Sequence, residues 1–576
     1  MPVNITRRAC RSNVSFPGDI HPVLQRIYAA RNIQSAVELD YSLQGLLPFA
    51  ALLGMDKAMT LLVNACKENR KLLIVADFDA DGATSCALAL RGLKLMGFSD
   101  VQYVVPNRFE FGYGLSPEIV EVATEKKPDV IITVDNGISS IEGVALARSR
   151  NIDVLITDHH LPGSVLPDAN AIVNPNQPGD SFPSKHLAGV GVMFYILIAL
   201  RSQLREQDWF TANNIPEPKL AELLDLVALG TVADVVPLDH NNRIMVAQGL
   251  ARIRSGKCCP GIRELLQVAN RSLLNTTAQD LSFSVAPRLN AAGRLTDMSL
   301  GIECLLTDDQ QLAKDMALRL EQLNKERREI QAEMQSQAMM DIADLDLNQQ
   351  DSLPNGLCLF NENWHQGVVG ILAGRIKDQI NRPVIVFARD KDGYIKGSAR
   401  SISSVHIRDV LDTIASQHPG IISKFGGHAM AAGLTIQEAD FDQFSTLFDQ
   451  VTGRFLSGDE LNGVLVSDGE LSVNELSFDL AEKIISSGPW GQGFPEPVFD
   501  GEFEIINSRI VGERHLKLQL RHPGNNRAID AIAFNITDED WPEATSRVQT
   551  VYKLDINEFA GRRQLQLVVD YIAPVE

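Results

Sequence analysis

Cysteine, long apolar runs and positive charge are all scarce in this chain of 576 residues. Its 7 cysteines are scattered, and the absence of any C-x-x-C pair argues against a structural zinc site or a disulfide framework and favours a reducing compartment. The longest apolar stretch, residues 187–200, contains two glycines and is too short to cross a bilayer. The N-terminus has arginines but lacks the apolar segment of a secretory signal. We therefore expect a soluble, cytoplasmic protein without membrane association.

The charge balance of the chain is acidic. Lys and Arg number 53 against 73 Asp and Glu, which gives a net charge of −20. This balance excludes a simple basic coat for nucleic acid. It does not exclude a nucleic-acid enzyme, because a metal site needs carboxylates and a local basic groove can lie on an acidic body. The length favours three or four domains.

Apolar runs alternate with helical stretches from residue 71 onward. The runs at residues 72–76, 101–105, 130–134 and 154–157 are short and continuous, as expected for strands buried on both faces. Because helical stretches separate them, these strands are predicted to form a mostly parallel sheet that is covered by helices on both sides.

The remainder of the chain divides into further parts. A polar helical stretch at residues 308–344 is predicted to be a solvated connector helix rather than a partner-binding coiled coil. Strands near residues 357–360 and 384–387 predict a second α/β unit, and short alternating segments after residue 461 predict a small β-barrel or sandwich. We predict an α/β protein with an N-terminal extension (1–45), a parallel-sheet domain (46–305), a connector helix and linker (306–350), a smaller α/β domain (351–455) and a β-rich domain (461–576).

Aspartate follows three of the predicted parallel strands, at Asp77, Asp135 and Asp158. Ligands of open parallel sheets bind beyond the carboxyl ends of the strands, so these side chains are expected to converge on one edge. One such aspartate could be structural. Three clustered carboxylates repel one another, however, and a bound cation would remove that repulsion.

The first of these strands leads into the segment D-F-D-A-D-G at residues 77–82. Alternate residues of an extended segment face the same side, so Asp77, Asp79 and Asp81 are predicted to present up to three carboxylates together, with Gly82 permitting a tight turn into the next helix. The alternative is an EF-hand calcium loop. That loop requires a glutamate at its twelfth position, where this chain has Leu88, and the preceding residues form a predicted strand rather than a helix.

A pair of histidines, His159 and His160, follows Asp158. A lone histidine is more often structural, but a pair beside other strands that end in acids favours a metal ligand and a proton donor. Asp234, by itself, would be a helix-end acid without functional meaning. Mixed Asp and His ligands suit Mn²⁺ or Mg²⁺. Two such ions about 3.5–4 Å apart would clamp the attacking and leaving oxygens of a phosphoryl displacement.

The set, order and spacing of these motifs resemble those of the DHH phosphoesterase family. The matching segments are D-F-D-A-D-G at 77–82, D-N-G at 135–137, D-H-H at 158–160 and A-D at 233–234. G-G-H-A-M-A-A-G at residues 426–433 resembles the signature of the associated DHHA1 domain. The segments at 287–294, at 396–401 and from 489 onward resemble those of the RecJ branch, whose last domain is an oligonucleotide-binding (OB) barrel. The resemblance covers the chain from about residue 46 to its end.

The resemblance implies a single-strand-specific 5′-to-3′ DNA exonuclease that releases 5′-mononucleotides with two divalent cations, Mn²⁺ or Mg²⁺. It also implies a function in recombination and repair, a single-strand-binding protein and a helicase as partners, and a monomer. Asp158 would orient the histidines, and His160 would contact the scissile phosphate or protonate the leaving oxygen. Asp135 is the expected bridge between the ions. The residues that match the family's metal ligands are Asp79, Asp81, Asp135, His159 and Asp234. Asp77 belongs to the first motif and is expected to be a further ligand.

Four further side chains are candidates for binding nucleic acid, three of them at the 5′ phosphate. By the resemblance, Arg108, Ser398 and Arg400 contribute to a pocket for the 5′ phosphate, and arginine suits this role because it binds phosphate through two parallel hydrogen bonds. His428 lies among glycines, where backbone amides can approach an anion closely, so it is predicted to contact nucleic acid. The alternative is a histidine in a tight turn.

Further substrate contacts are left open between two interpretations. Arg288 and Arg294 lie in a RecJ-like segment and are candidates for substrate binding, with an ordinary salt bridge as the equal alternative for each. Phe109, Phe111 and Tyr113 are predicted either to stack on bases or wedge open a duplex, or to belong to the core.

Three other functions compete with the exonuclease. Phosphodiesterases of short RNA or cyclic dinucleotides share the acidic motifs, but they are usually shorter and lack the C-terminal OB region. A family II pyrophosphatase has a histidine upstream of the first motif, where this chain has Leu73 or Val75. An inactive DNA-binding scaffold would have lost acidic ligands, and here all of them are present.

Overall fold

The structure, a computed structural model, describes residues 4–9, 16–107, 114–344, 354–456, 464–512, 515–534, 536, 546–559 and 562–575. The chain forms two compact units. One consists of Met1–Asn4 and Gln322–Leu465, and the other of Ile5–Glu321 and Val466–Glu576.

A parallel sheet lies at the centre of the N-terminal part of the chain. The strands of this part are β1 (Asn4–Arg7), β2 (Leu72–Ala76), β3 (Val101–Val104), β4 (Val130–Val134), β5 (Asp153–Thr157) and β6 (Ala171–Val173). The sheet has the order β3-β2-β4-β5-β6, and all of its neighbouring strands are parallel. Every residue of β2 and β4 is buried, as continuous apolar runs require when helices cover both faces. The predicted parallel sheet is thereby confirmed.

Helices surround this sheet and continue beyond it. They are α1 (Pro22–Ala30), α2 (Met55–Lys67), α3 (Ala80–Leu95), α4 (Pro117–Glu125), α5 (Ile141–Ser149), α6 (Gly189–Glu206), α7 (Trp209–Ala212), α8 (Leu224–Ala233), α9 (His240–Arg254), α10 (Pro260–Val268), α11 (Ala278–Asp280), α12 (Ala286–Leu295) and α13 (Ser299–Leu306). Short 3-10 turns occur at Ala36–Leu39, Leu43–Gly45, Phe49–Ala51 and Leu220–Leu223, and a π-helical turn, Leu281–Val285, joins α11 to α12.

Helix α3 begins at Ala80, so the segment after β2 is not extended throughout. Asp79 caps the helix, since its Oδ1 accepts hydrogen bonds from the backbone amides of Asp81 (2.9 Å) and Gly82 (3.0 Å). Gly82 lies inside the helix, and a Cβ there would come 2.4 Å from the carbonyl oxygen of Asp77. The glycine is therefore required by a close approach of two backbones, and the predicted role in a tight turn is wrong.

The apolar stretch at residues 187–200 forms most of α6, which is buried in the interior of its unit. In the described part of the chain, no single helix has the length and apolar composition needed to cross a membrane. The segments Leu43–Ala51 and Met55–Lys67 meet those criteria only as a pair with a 91° bend.

A single long helix, α14 (Gln310–Asp344), follows, and it confirms the predicted connector helix. After it come β7 (Leu357–Asn361), α15 (Val369–Ile380), β8 (Val384–Arg389), β9 (Tyr394–Arg400), α16 (Ile407–Gln417), β10 (Lys424–Gly427), β11 (Ala431–Gln437), a 3-10 turn (Glu438–Asp440) and α17 (Phe441–Gly453). The strands form a sheet of order β10-β11-β9-β8-β7, in which only β7 and β8 pair in parallel. This sheet with its helices is the predicted second α/β unit.

The C-terminal part of the chain is a small closed barrel. The elements of this part of the chain are β12 (Val464–Ser467), α18 (Phe478–Ser486) and the five barrel strands β13 (Phe499–Val511), β14 (His515–Arg521), β15 (Ala528–Phe534), β16 (Arg547–Phe559) and β17 (Arg562–Pro574). The barrel has the order β13-β14-β15-β17-β16, and Phe499, Phe503 and Tyr552 fill its interior. The predicted fold class is confirmed, and the residue numbers of the domain boundaries stay a prediction.

Candidate metal centre

Acidic side chains meet at the carboxyl edge of the parallel sheet. Ala76 of β2 pairs with Val134 of β4, and Val134 pairs with Thr157 of β5, so the three strands end level with one another. The next residues along each strand, Asp77, Asp135 and Asp158, therefore lie side by side, and all three are buried. Asp135 adopts a left-handed backbone conformation (φ 63°), a region that aspartate tolerates better than most residues.

Histidine and carboxylate atoms near this edge form three overlapping groups. Asp135 and His159 each belong to two of the groups. Of the two, only Asp135 has a carboxylate with two acceptor oxygens, so it is the side chain better suited to be shared between two ions. Asp81 lies in a different group from Asp77 and Asp79, contrary to the expectation that the three would act together. The ligand atoms of each group lie within 4.8 Å of one another, and the groups are Asp77-Asp79-Asp135, Asp81-His159-Asp234 and Asp135-His159-His160.

His159 faces two carboxylates with one ring nitrogen. Its Nε2 lies 3.1 Å from Oδ1 of Asp135 and 3.4 Å from Oδ2 of Asp234. This nitrogen is buried, and among the described residues it makes no hydrogen bond of acceptable geometry. A buried imidazole nitrogen that faces carboxylate oxygens is the donor set that Mn²⁺ and related divalent ions prefer. The residues present therefore fit a divalent cation.

The beginning of helix α6 holds Asp81 in place. Its Oδ2 accepts a hydrogen bond from the backbone amide of Gly189 (2.6 Å), and its Oδ1 accepts one from that of Val190 (3.0 Å). These amides carry the partial positive charge of a helix N-terminus, which stabilises a carboxylate. The two hydrogen bonds therefore fix the orientation of the Asp81 carboxylate beside His159 and Asp234.

Burial and mutual repulsion raise the pKa values of the clustered acids. Burial, followed by the charge of Asp234, raises the pKa of Asp81 to about 7. Burial and the charge of Asp79 raise the pKa of Asp234 to about 7. Burial and the neighbouring carboxylates hold the pKa of Asp135 well above its ordinary value. The metal-free cluster consequently retains protons near neutral pH, and a bound cation would displace them.

Asp158 orients His160 and keeps it protonated. Its Oδ1 accepts hydrogen bonds from the backbone amides of His159 (2.7 Å) and His160 (3.0 Å), and lies 2.7 Å from Nδ1 of His160. Burial acts to lower the pKa of His160, but the hydrogen bond and charge of Asp158 raise it to about 9. Burial likewise opposes ionisation of Asp158, yet its bond to His160 lowers its pKa below the ordinary value. In the metal-free protein His160 is therefore a cation at neutral pH, and its ring is partly exposed.

Several residues that support the cluster were not predicted from sequence. A Cβ at Gly189 would come 2.6 Å from the Cβ of Asp135, so only glycine fits there. Asn174 and Asn176 follow strand β6 and donate to the carbonyl oxygens of His160 (2.9 Å) and His159 (2.6 Å). The rule that polar residues at parallel strand ends face the site would have identified this asparagine pair, had the short strand before it been recognised.

The candidate substrate arginines of this unit differ in their surroundings. Arg288 is buried, and its Nε lies 2.6 Å from Oε2 of Glu321. This ion pair is the alternative that the sequence left open for Arg288. Arg294 is half-buried near the end of α12. Arg108, together with Phe109, Phe111 and Tyr113, lies outside the described residues.

The other unit contains the remaining candidates. Arg400 donates from Nη1 to Oγ of Ser398 (3.1 Å), and burial lowers the pKa of its guanidinium. A Cβ at Gly370, near the start of α15, would come 2.9 Å from both Nη2 of Arg400 and Oγ of Ser398. His428 is exposed in the turn between β10 and β11, where its backbone amide donates to Ala431 (2.8 Å). The strand pairing of β9 with β11 places Arg400 opposite Ala431.

Comparisons with known proteins agree along the whole chain. The family models that match are the "DHH family, N-terminal domain" over residues 71–231, the "DHHA1 domain" over residues 354–454 and the "RecJ OB domain" over residues 467–571. The single-stranded-DNA-specific exonuclease RecJ of Salmonella typhimurium is 51% identical over 572 residues, which cover 99% of this chain and 99% of that protein. The crystal structure of RecJ from Thermus thermophilus in complex with Mn²⁺ matches with a TM-score of 0.80 at 28% identity, covering 97% of this chain and 76% of that one. The corresponding Mg²⁺ complex matches with a TM-score of 0.74 at 26% identity, covering 97% and 75%.

Proposed function

The chain belongs to the RecJ family of single-stranded-DNA-specific exonucleases, and from that membership we propose that it degrades single-stranded DNA from the 5′ end with two divalent cations. The observation that carries this proposal is the presence of two adjacent ligand groups, Asp77-Asp79-Asp135 and Asp81-His159-Asp234, at the edge of the parallel sheet. They meet where Nε2 of His159 lies 3.1 Å from Oδ1 of Asp135. The proposed reaction is hydrolysis of a phosphodiester bond with release of a 5′-mononucleotide.

The proposed cation ligands are the members of the carboxylate and histidine groups. Relatives of known structure bind Mn²⁺ and Mg²⁺, and the mixed oxygen and imidazole donors of this chain suit either ion. When bound, two such ions would polarise the phosphate and lower the pKa of the attacking water. The ligands that would hold them are Asp77, Asp79, Asp81, Asp135, His159 and Asp234.

His160 and Asp158 provide the proposed proton chemistry. Because the pKa of His160 is raised to about 9, the ring carries a proton at neutral pH and can donate a hydrogen bond to an anionic phosphate or protonate the leaving oxygen. Asp158 holds the ring in the orientation that directs Nε2 away from the carboxylate. Together the two side chains present the Nε2 proton of His160 as a hydrogen-bond donor at the edge of the sheet.

We propose that Ser398 and Arg400 bind the 5′ phosphate. Arg108 and His428 stay predictions from the family resemblance. Arg400 is half-buried, and in the described part of the chain its guanidinium donates to a neutral hydroxyl and a carbonyl oxygen rather than to a carboxylate. Such a guanidinium has charge available for a phosphate. Arg294 is a further candidate for the DNA backbone. Family membership also supports a cytoplasmic role in recombination and repair, as a monomer, with a single-strand-binding protein and a helicase.

The test uses the purified full chain with single-stranded DNA labelled at its 5′ or its 3′ end, in Mg²⁺ or Mn²⁺. We expect early release of labelled mononucleotide from the 5′-labelled strand only. Asp135→Ala should abolish release, whereas Asp168→Ala, at an exposed surface ion pair, should retain it. Arg400→Lys should reduce the preference for a 5′-phosphorylated over a 5′-hydroxyl strand. Early release from the 3′ end would contradict the polarity, and cleavage of dinucleotides alone would move the chain to the small-nucleotide branch.

A further inference from the structure

The loop after Asp234 has an unusual backbone. We call residues 235–238 the Asp234 loop. Its first residue, Val235, has a φ of 61°, and a β-branched side chain is a genuine outlier in this left-handed region. Such a conformation persists only when the surrounding structure holds it. The contacts that hold the loop therefore also hold Asp234, the residue next to it.

The hydrogen bonds of the Asp234 loop come from helix α9 and from the C-terminal part of the chain. Asn242 donates to the carbonyl oxygen of Pro237 (3.0 Å), and Arg243 donates to that of Leu238 (2.9 Å). The backbone amide of Leu238 donates to the carbonyl oxygen of Gln492 (2.7 Å). The last bond joins the loop to a segment that directly precedes the barrel.

Gln492 belongs to a tight turn, residues 490–494, which we call the Trp490 turn. The backbone amide of Gly491 donates to the carbonyl of Phe494 (2.9 Å), and that of Phe494 donates back to Gly491 (3.1 Å). A Cβ at Gly493, which has a φ of 72°, would come 3.1 Å from the Cβ of Pro237. The turn thus lies in van der Waals contact with the loop, at a position that only glycine fits without displacement.

Aromatic stacking fixes the Trp490 turn on its other side. The rings of Trp490 and Phe494 stack with centroids 5.0 Å apart, and the ring of Tyr28 stacks on both. The guanidinium of Arg243 lies 4.3 Å from the centroid of Phe494. Arg243 therefore connects the ring of Phe494 to the carbonyl oxygen of Leu238. A displacement of the turn would act on the loop through Arg243 and through the hydrogen bond between Leu238 and Gln492.

We propose that the Trp490 turn is a positioning element for Asp234, so that one of the two cation sites depends on the C-terminal part of the chain. This inference rests on the proposed function. The affected site is the group Asp81-His159-Asp234, in which Oδ2 of Asp234 lies 3.4 Å from Nε2 of His159. Asp234 directly precedes the loop, whereas the group Asp77-Asp79-Asp135 contains no residue next to it in the chain. The two sites therefore differ in their dependence on the turn.

The experiment measures Mn²⁺ binding to the full chain by calorimetry and by the electron paramagnetic resonance signal of free Mn²⁺. The variant Gly493→Ala introduces the Cβ that presses on Pro237, and Phe494→Leu removes the ring beneath Arg243 without adding a clash. We expect two Mn²⁺ sites in the unaltered chain. Each variant should weaken one site by roughly tenfold, the lower end of what loss of an outer-shell partner typically costs. The other site should keep its affinity within about twofold.

The matched control is Gly512→Ala. Gly512 has a similar φ of 60°, but its nearest neighbour is a side-chain atom of His515 at 3.8 Å, so the backbone strain is reproduced away from the Asp234 loop. Thermal unfolding of each variant shows whether the fold is retained. Unchanged affinity at both sites in a folded Gly493→Ala, or equal weakening of both sites, would overturn the proposal. Absence of any Mn²⁺ binding to the unaltered chain would instead overturn the proposed function, and this inference with it.

Discussion

The negative charge of Asp158 can be tested through its effect on the pKa of His160. Oδ1 of Asp158 lies 2.7 Å from Nδ1 of His160, and it raises the pKa of the ring to about 9 although burial, the larger influence, acts to lower it. Asp158→Asn keeps the shape and one acceptor oxygen for the backbone amides of His159 and His160, but it removes the charge and the oxygen that accepts from the amide of Ile138. We expect the pKa of His160 to fall to its ordinary value or below.

The expected loss of activity follows from the protonated fraction of His160. At pH 8 a pKa of about 9 leaves roughly nine tenths of the rings protonated, whereas the ordinary value of about 6.5 leaves roughly three hundredths. If the protonated ring contacts phosphate or gives its proton to the leaving oxygen, cleavage at pH 8 should be slower by about 30-fold. At pH 6 a much larger share of the variant's rings is protonated, so the loss should be at least about tenfold smaller than at pH 8.

The assay is single-turnover degradation of a 5′-labelled strand at saturating Mn²⁺ between pH 6 and pH 9. The control is Asp168→Asn, which removes a carboxylate from an exposed ion pair and should leave the profile unchanged. His160→Gln should be slow at every pH. A loss of equal size at pH 6 and pH 8 in Asp158→Asn would refute the reasoning, because Asp158 would then act by orientation rather than by charge.

Without metal, the free energy of unfolding should depend on pH, because burial raises the pKa of Asp81 to about 7. The folded state then binds protons more tightly than the unfolded chain, so the free energy of unfolding without metal should fall as the pH rises from about 4 to about 7. Urea unfolding in EDTA measures this slope, which should be shallower in Asp81→Asn; equal slopes would contradict the argument. Arg31→Ala removes the buried guanidinium that pairs with Asp468 and leaves this carboxylate only Arg8, at 3.5 Å, so it should lower the free energy of unfolding by up to about 3–5 kcal/mol. Arg148→Ala, at an exposed pair, should cost at most about 1 kcal/mol in the same urea experiment, and similar losses in both would refute the distinction. Gly189→Ala would place a Cβ 2.6 Å from that of the shared aspartate and should abolish DNA cleavage. Gly191→Ala, whose nearest neighbour is a leucine side-chain tip at 3.2 Å, should retain most of it.

The main features of the fold could be predicted from sequence because they depend on local pattern. Continuous apolar runs identified the strands β2 and β4, which are buried along their whole length. The alternation after residue 461 predicted a barrel, and the polar stretch before the second α/β unit predicted a long helix. The short strand Ala171–Val173 and the helix Pro22–Ala30 were missed, because three or nine residues carry too weak a periodic signal.

The candidate site was predicted less completely than the fold. The rule for parallel strand ends identified Asp77, Asp135 and Asp158, and the structure places them side by side at the edge of the sheet. The assumption of an extended segment after β2 failed for Asp81, because helix α3 begins at Ala80 and turns that carboxylate toward another group. Arg288 was left between DNA binding and a salt bridge, since its partner lies on another helix.

The sequence by itself determined which residue types stand at the ends of which strands, and therefore that a cluster of acids and histidines with metal-binding chemistry would form. These properties follow from the side-chain order along each segment, which the chain carries before it folds. Only the tertiary structure decided which carboxylates share a site and that the Trp490 turn contacts the Asp234 loop. Leu238 and Gln492 lie far apart in the chain, and a single backbone hydrogen bond between such residues leaves no periodicity or motif from which it could be inferred.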